Sequence, residues 1–129
     1  MDEHAFKSRT KALALAIIRL VDVLPRNRCA DILGRQLLRS GTSVGANYRA
    51  ACRGQSRRDM MSKLSIVAEE ADEMLYWMEL LGDSRIVRAE HTEKVRIEAT
   101  EILAMTVASL KTLKRIKTLN QPPESKSKI

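Results

Sequence analysis

Apolar residues recur at alternating spacings of three and four through four separate stretches of this chain, and each stretch predicts a helix. In the first, Phe6, Thr10, Leu13, Ile17, Leu20 and Leu24 share one face over about residues 5–24. Pro25 forces the residue before it out of the α region, and Asn27 can cap the next helix by accepting from its free amides. The second helix, about 28–53, turns Ala30, Leu33, Leu37, Val44, Tyr48 and Ala51 inward. The third, about 57–82, carries the most regular repeat: Met60, Leu64, Val67, Ala71, Met74, Met78 and Leu81, widened by Met61, Ala68 and Leu75. The fourth, about 90–120, presents Val95, Ala99, Ile102, Leu103, Thr106, Leu110 and Leu113. Gln121-Pro122-Pro123 ends it, and the polar residues of 121–129 are expected to be a disordered tail.

Two places test this pattern. The run Ser40-Gly41-Thr42-Ser43-Val44-Gly45-Ala46-Asn47 is poor in helix formers, and each glycine costs about 1 kcal/mol relative to alanine. The competing expectation, which we favour, is a continuous helix whose small residues admit a close neighbour, with Asn47 satisfying its amide across that contact. Between the second and third helices, Gly54 suits a left-handed position past a helix end, and Ser56 with Asp59 suits a cap. Four amphipathic helices with short connections give an all-α, antiparallel up-down-up-down four-helix bundle, one domain over residues 1–120.

Charge divides this bundle unevenly. The chain has a net charge of +7. By segment, 1–25 contributes +4−3 = +1, 26–58 contributes +8−1 = +7, 59–84 contributes +1−7 = −6, and 85–129 contributes +10−5 = +5. All eight cations of 26–58 are arginine, whose planar fork suits bidentate contact with phosphate or carboxylate. Arg28, Arg35, Arg39, Arg49 and Arg53 lie together on the side of the second helix opposite Leu37, and Arg57 and Arg58 carry the stripe around the turn. These seven are the candidate nucleic-acid-binding residues. They could instead pair with the acidic third helix, in the same or another subunit, or face water.

On the third helix, Ile66, Glu70, Glu73, Trp77 and Leu80 form a second face beside the bundle-facing stripe. An apolar strip with the only tryptophan and two carboxylates reads as a candidate oligomer contact, or as a wide buried face within one chain.

Chemistry beyond binding finds little support. A carboxylate-bundle metal site needs Glu-x-x-His pairs on two helices, and the only histidines are His4 and His91. No Gly-rich phosphate loop and no Ser/His/Asp or Cys/His set is present, so an enzyme is not expected, and neither is a cofactor or metal. Cys29 and Cys52 do not make a disulfide framework, and no secretory signal opens the chain; a reducing cytoplasm is the expectation. The longest apolar run of the first helix, Leu13 to Ile18, stops at Arg19, too short for a membrane span. With a single Phe and two Tyr, stacking platforms for single-stranded bases are missing, so binding would be mainly to backbone and strongly salt-dependent. The cations Lys111, Lys114, Arg115 and Lys117 complement a helix dipole or lengthen the basic surface.

The runs Gln36-Leu37-Leu38-Arg39, Ser43-Val44-Gly45-Ala46-Asn47, Arg53-Gly54-Gln55-Ser56, Lys63-Leu64-Ser65-Ile66-Val67 and Tyr76-Trp77-Met78-Glu79-Leu80-Leu81 resemble bacterial four-helix-bundle proteins encoded in intervening sequences of large-subunit ribosomal RNA genes. That family in turn resembles the accessory variability proteins of diversity-generating retroelements. The resemblance implies a homo-oligomer, a pentameric ring, with a basic surface for RNA or DNA and a reverse transcriptase as a further partner. The residues themselves leave open a structural or protein-binding oligomer with no nucleic-acid role.

Overall fold

The computed structural model of the protein describes residues 2–119, with side chains as far as Ile116. It contains four helices: α1 (Glu3–Asp22), α2 (Arg28–Cys52), α3 (Arg57–Asp83) and α4 (Ala89–Leu119). The expected tail of 121–129 lies outside the described residues, as does the last expected residue of the fourth helix, Asn120. Each helix packs antiparallel on its neighbour in sequence, α1 closes the ring against α4, and the diagonal pairs do not meet. The chain is an all-α antiparallel four-helix bundle.

The ends of the helices follow from local chemistry. Asp2 caps α1 by accepting from the His4 and Ala5 amides at 2.9 and 3.3 Å, which places its start two residues earlier than the apolar pattern indicates. At the other end the amides of Val23 and Leu24 bond three residues back, to the carbonyls of Leu20 and Val21, and this tightened turn delivers the chain to Pro25. Asn27 accepts from the Ala30 amide at 2.9 Å, and Ser56 from the Asp59 amide at 3.1 Å.

Gly54 is a correction to the expected turn. No glycine among the described residues has a positive φ. A Cβ at Gly54 would sit 3.0 Å from the Met60 amide nitrogen and 3.1 Å from the Ala51 carbonyl oxygen, so glycine serves there for room in a tight turn. The left-handed position falls instead on Arg85, φ 64°, after α3. Around it the Arg85 amide bonds Gly82 O and the Ile86 amide bonds Leu81 O, the five-to-two and six-to-one bonds of a Schellman closure.

The inward positions read from the repeat form one continuous core. Phe6, Leu13, Ile17, Leu37, Val44, Val67, Met74, Met78, Leu81 and Ile102 are almost fully buried. Leu24, Leu33, Met60, Val95, Leu103, Leu110 and Leu113 are half-buried at its margins. At α1 the Phe6 ring meets Tyr48 of α2, tilted, with centroids 4.5 Å apart. The seam of α1 with α4 is the most open of the four, and Arg9 clasps it: its Nε and Nη2 donate to the two oxygens of Glu98 at 3.0 and 2.6 Å. That bidentate bond, more than the neighbouring carboxylate of Glu101, raises the pKa of Arg9 further.

Candidate nucleic-acid interface

The platform for the arginines is α2, and its weakest stretch is helical throughout. Ser40 donates back to the Gln36 carbonyl at 2.9 Å and Thr42 to that of Leu38 at 2.7 Å, so their hydroxyls cost the helix no unsatisfied group. Asn47 does the same: its Nδ2 donates to the carbonyl and hydroxyl of Ser43 at 2.9 and 2.8 Å. The expected bond across a helix contact is therefore corrected to one within α2.

What crosses to the neighbour is the surface of α1, admitted by glycine. A Cβ at Gly41 would lie 3.0 to 3.3 Å from three side-chain atoms of Ile17. At Gly34 it would lie 2.9 Å from Leu24 Cδ1, and at Gly45 3.2 Å from Thr10 Oγ1. Three missing side chains on one edge of α2 thus set how closely α1 approaches.

All seven candidate arginines, Arg28, Arg35, Arg39, Arg49, Arg53, Arg57 and Arg58, are exposed, but their partners divide them. Arg39 reaches over to α3, where Nη1 donates to Glu70 at 3.0 Å and Nη2 to Glu73; Gln36 Oε1 accepts from its Nε. The Glu70 side chain is only 12% exposed, so this is a carboxylate covered by α2 and matched by an arginine of the same chain. The other six make no ion pair with any carboxylate among the described residues.

The second face of α3 is correspondingly shared. Ile66, Glu70, Glu73, Trp77 and Leu80 are all half-buried, and Trp77 donates its indole N–H to Glu73 at 3.2 Å. Two of the five, Glu70 and Glu73, thus serve the α2–α3 seam. Tyr76 stands half exposed against Trp77, ring centroids 5.3 Å apart.

Two cations that the charge count overlooks, Lys7 and Lys11, border a groove between α1 and α2 together with Arg49. Their segment is nearly neutral in sum, which hides them. Their i, i+4 spacing, away from the inward face of Phe6 and Leu13, is the signal that reveals them.

No three His, Cys, Asp or Glu residues among those described are grouped to hold a metal. Burial raises the pKa of the Tyr48 phenol, helped by its bond with Cys52, and burial likewise raises that of the Cys52 thiol. Both stay protonated near neutral pH, and the thiol is no activated nucleophile. No described helix is long and apolar enough to cross a membrane.

A profile of the 23S rRNA-intervening sequence proteins matches residues 3–108, the whole of α1, α2 and α3 and most of α4. The chain belongs to that family. Its bundle is also similar to the crystal structure of a protein of unknown function from the S23 ribosomal protein family of Bacteroides thetaiotaomicron, with 35% sequence identity and a TM-score of 0.80. The similarity covers 86% of this chain and 99% of that one. No curated protein matches the chain. The family resemblance thus extends well beyond the α2–α3 hairpin that carries the quoted motifs.

Proposed function

We propose that this intervening-sequence family member is a non-enzymatic homo-oligomeric bundle that binds the backbone of RNA or DNA through Arg28, Arg35, Arg49, Arg53, Arg57 and Arg58. The observation that carries this reading is the contrast within one exposed stripe: Arg39 is ion-paired to two carboxylates and the six others to none among the described residues. Exposed guanidinium groups without an internal counter-charge suit bidentate contact with phosphate. The ribosomal RNA context of the family is consistent with such a ligand. A reverse transcriptase, from the likeness to retroelement accessory proteins, is the partner to test once binding is established.

Self-association has its own support in the α2–α3 face, where Ile32 and Tyr76 are 53% and 52% exposed and Ile66, Trp77 and Leu80 are half covered. Such a strip suits a second copy of the chain, and it favours the alternative of a structural oligomer if nucleic acid does not bind.

The test is a titration of labelled RNA and DNA against the wild type and an Arg35→Gln/Arg49→Gln/Arg53→Gln variant, with oligomer mass measured for both. Six phosphate contacts predict an affinity loss of about a thousandfold between roughly 50 and 200 mM salt. The variant keeps its mass and loses about half of that salt dependence. Absence of salt-dependent binding by the wild type would refute the reading, and a variant that dissociates would reassign these arginines to the subunit contact.

A further inference from the structure

The groove between α1 and α2 has a volume of about 450 Å³, and apart from Arg49 it is built from residues outside the arginine stripe. Lys7 and Lys11 rise on the α1 side and Arg49 on the α2 side, with Ala14, Gly45 and Ala46 between them. None of its lining residues is acidic. We propose that this groove seats a phosphate or phosphodiester group between Lys7, Lys11 and Arg49, so that a bound strand lies along the α1–α2 seam. The assignment rests on the nucleic-acid reading for the identity of the strand, but not for the phosphate chemistry of the seat.

Three features make the groove a place for phosphate rather than a charged slope. The first is depth. Gly45 lacks the Cβ that would stand 3.2 Å from Thr10 Oγ1, and Ala14 and Ala46 are the shortest ordinary side chains, so the long cations flank a recess instead of filling it. The second is size: about 450 Å³ corresponds to roughly fifteen waters, more than a lone ion needs and enough for a phosphate with its sugar.

The third is the supply of donors. Thr10 and Thr42 give their hydroxyl protons to the carbonyls of Lys7 and Leu38 at 3.1 and 2.7 Å, so neither is a donor for the groove. The positive charge must come from the lysines and Arg49. The nearest acid, Glu3, sits 3.8 Å from Lys7 with its side chain 61% exposed, a screened i, i+4 pair that phosphate readily displaces.

Register ties the groove to the rest of the stripe. Thr42, Ala46 and Arg49 follow one another at spacings of four and three, and therefore form one edge of α2, the edge facing α1. Arg35 continues that edge two turns before Thr42, whereas Arg53, just past the end of α2, borders Asp59, Ser62 and Lys63 on the α3 side. A strand seated in the groove runs on toward Arg35, whereas Arg39, paired to α3, lies off its path.

The experiment combines two probes with two variants. Inorganic pyrophosphate is titrated into the isotope-labelled protein while backbone amide shifts are followed by NMR, and labelled RNA and DNA oligonucleotides are titrated at two salt concentrations. The variants are Lys7→Gln/Lys11→Gln, which removes charge, and Ala46→Leu, which fills the recess and removes none. All three positions are solvent-facing or half so, and far-UV circular dichroism checks that the helices persist.

The expected result is pyrophosphate-induced shifts centred on Ala14, Gly45 and Ala46 in the wild type and lost in both variants. Oligonucleotide affinity should fall about tenfold or more in both, with the salt slope reduced by about two in the lysine variant. If oligonucleotides bind both variants as they bind the wild type, the groove is overturned and the arginine stripe stands. Groove shifts with pyrophosphate but no binding of RNA or DNA would keep the seat, reassign it to a free phosphate compound, and refute the nucleic-acid reading. Neither response would refute both.

Discussion

The two seams that α2 makes with its neighbours are chemically opposite. Toward α3 an arginine, two carboxylates and an indole N–H are joined, with Arg39 on Glu70 and Glu73 and Trp77 on Glu73. Toward α1 the seam is apolar and its closeness is admitted by glycines, and the cations at its outer rim, Lys7, Lys11 and Arg49, face no carboxylate but Glu3. Residue type alone does not distinguish Arg39 from Arg49. Which neighbouring helix each one leans toward does, and the acidic face of α3 lies on one side only.

The most damaging change to this arrangement is Gly41→Leu. Its first carbon already falls 3.0 to 3.3 Å from Ile17, and the remaining atoms have nowhere to go, so α1 must move off α2. A loss of about 3 kcal/mol is expected, read as a lowered denaturant midpoint with an unchanged slope.

Arg39→Ala is next. It leaves Glu70, 12% exposed, without its partner, at a cost of about 1 to 2 kcal/mol, tempered because the Arg39 side chain is itself 52% exposed. In a double-mutant cycle with Glu70→Gln the second substitution should recover about half of that loss; additive costs would show that the pair contributes nothing. Across the open seam, Arg9→Ala should cost about 1 kcal/mol by unclasping Glu98, measured in the same denaturation assay. Smallest of all, Arg35→Gln or Arg49→Gln should change stability by less than about 0.5 kcal/mol, since neither holds another group in place. A larger loss would place them with Arg39.

Much of the fold was legible because the core repeat is strict: Phe6 to Leu20 and Leu64 to Leu81 predict the buried faces almost residue by residue. The caps at Asn27 and Ser56 were legible for the same reason, being local chemistry. Gly54 and Arg85 were not, because φ at a turn depends on how the following helix must leave, and composition carries no record of that. Asn47 was misdirected for a related reason: a side-chain amide has a carbonyl of its own helix four residues back, which sequence spacing does not rank against a neighbour. The candidate site was half legible. The exposed stripe follows from helical geometry, but the removal of Arg39 from it requires knowing that Glu70 and Glu73 lie across from it, and the groove requires α1 and α2 side by side.

The most direct measurement is the salt dependence of RNA binding for single Arg→Gln substitutions at 35, 39, 49 and 53. The slope of log K against log salt should fall by about one unit for Arg35, Arg49 and Arg53 and stay unchanged for Arg39, whose charge is already matched within the chain. Equal slopes for all four, or a wild type whose binding ignores salt, would contradict the division of α2 into a structural edge and a ligand edge.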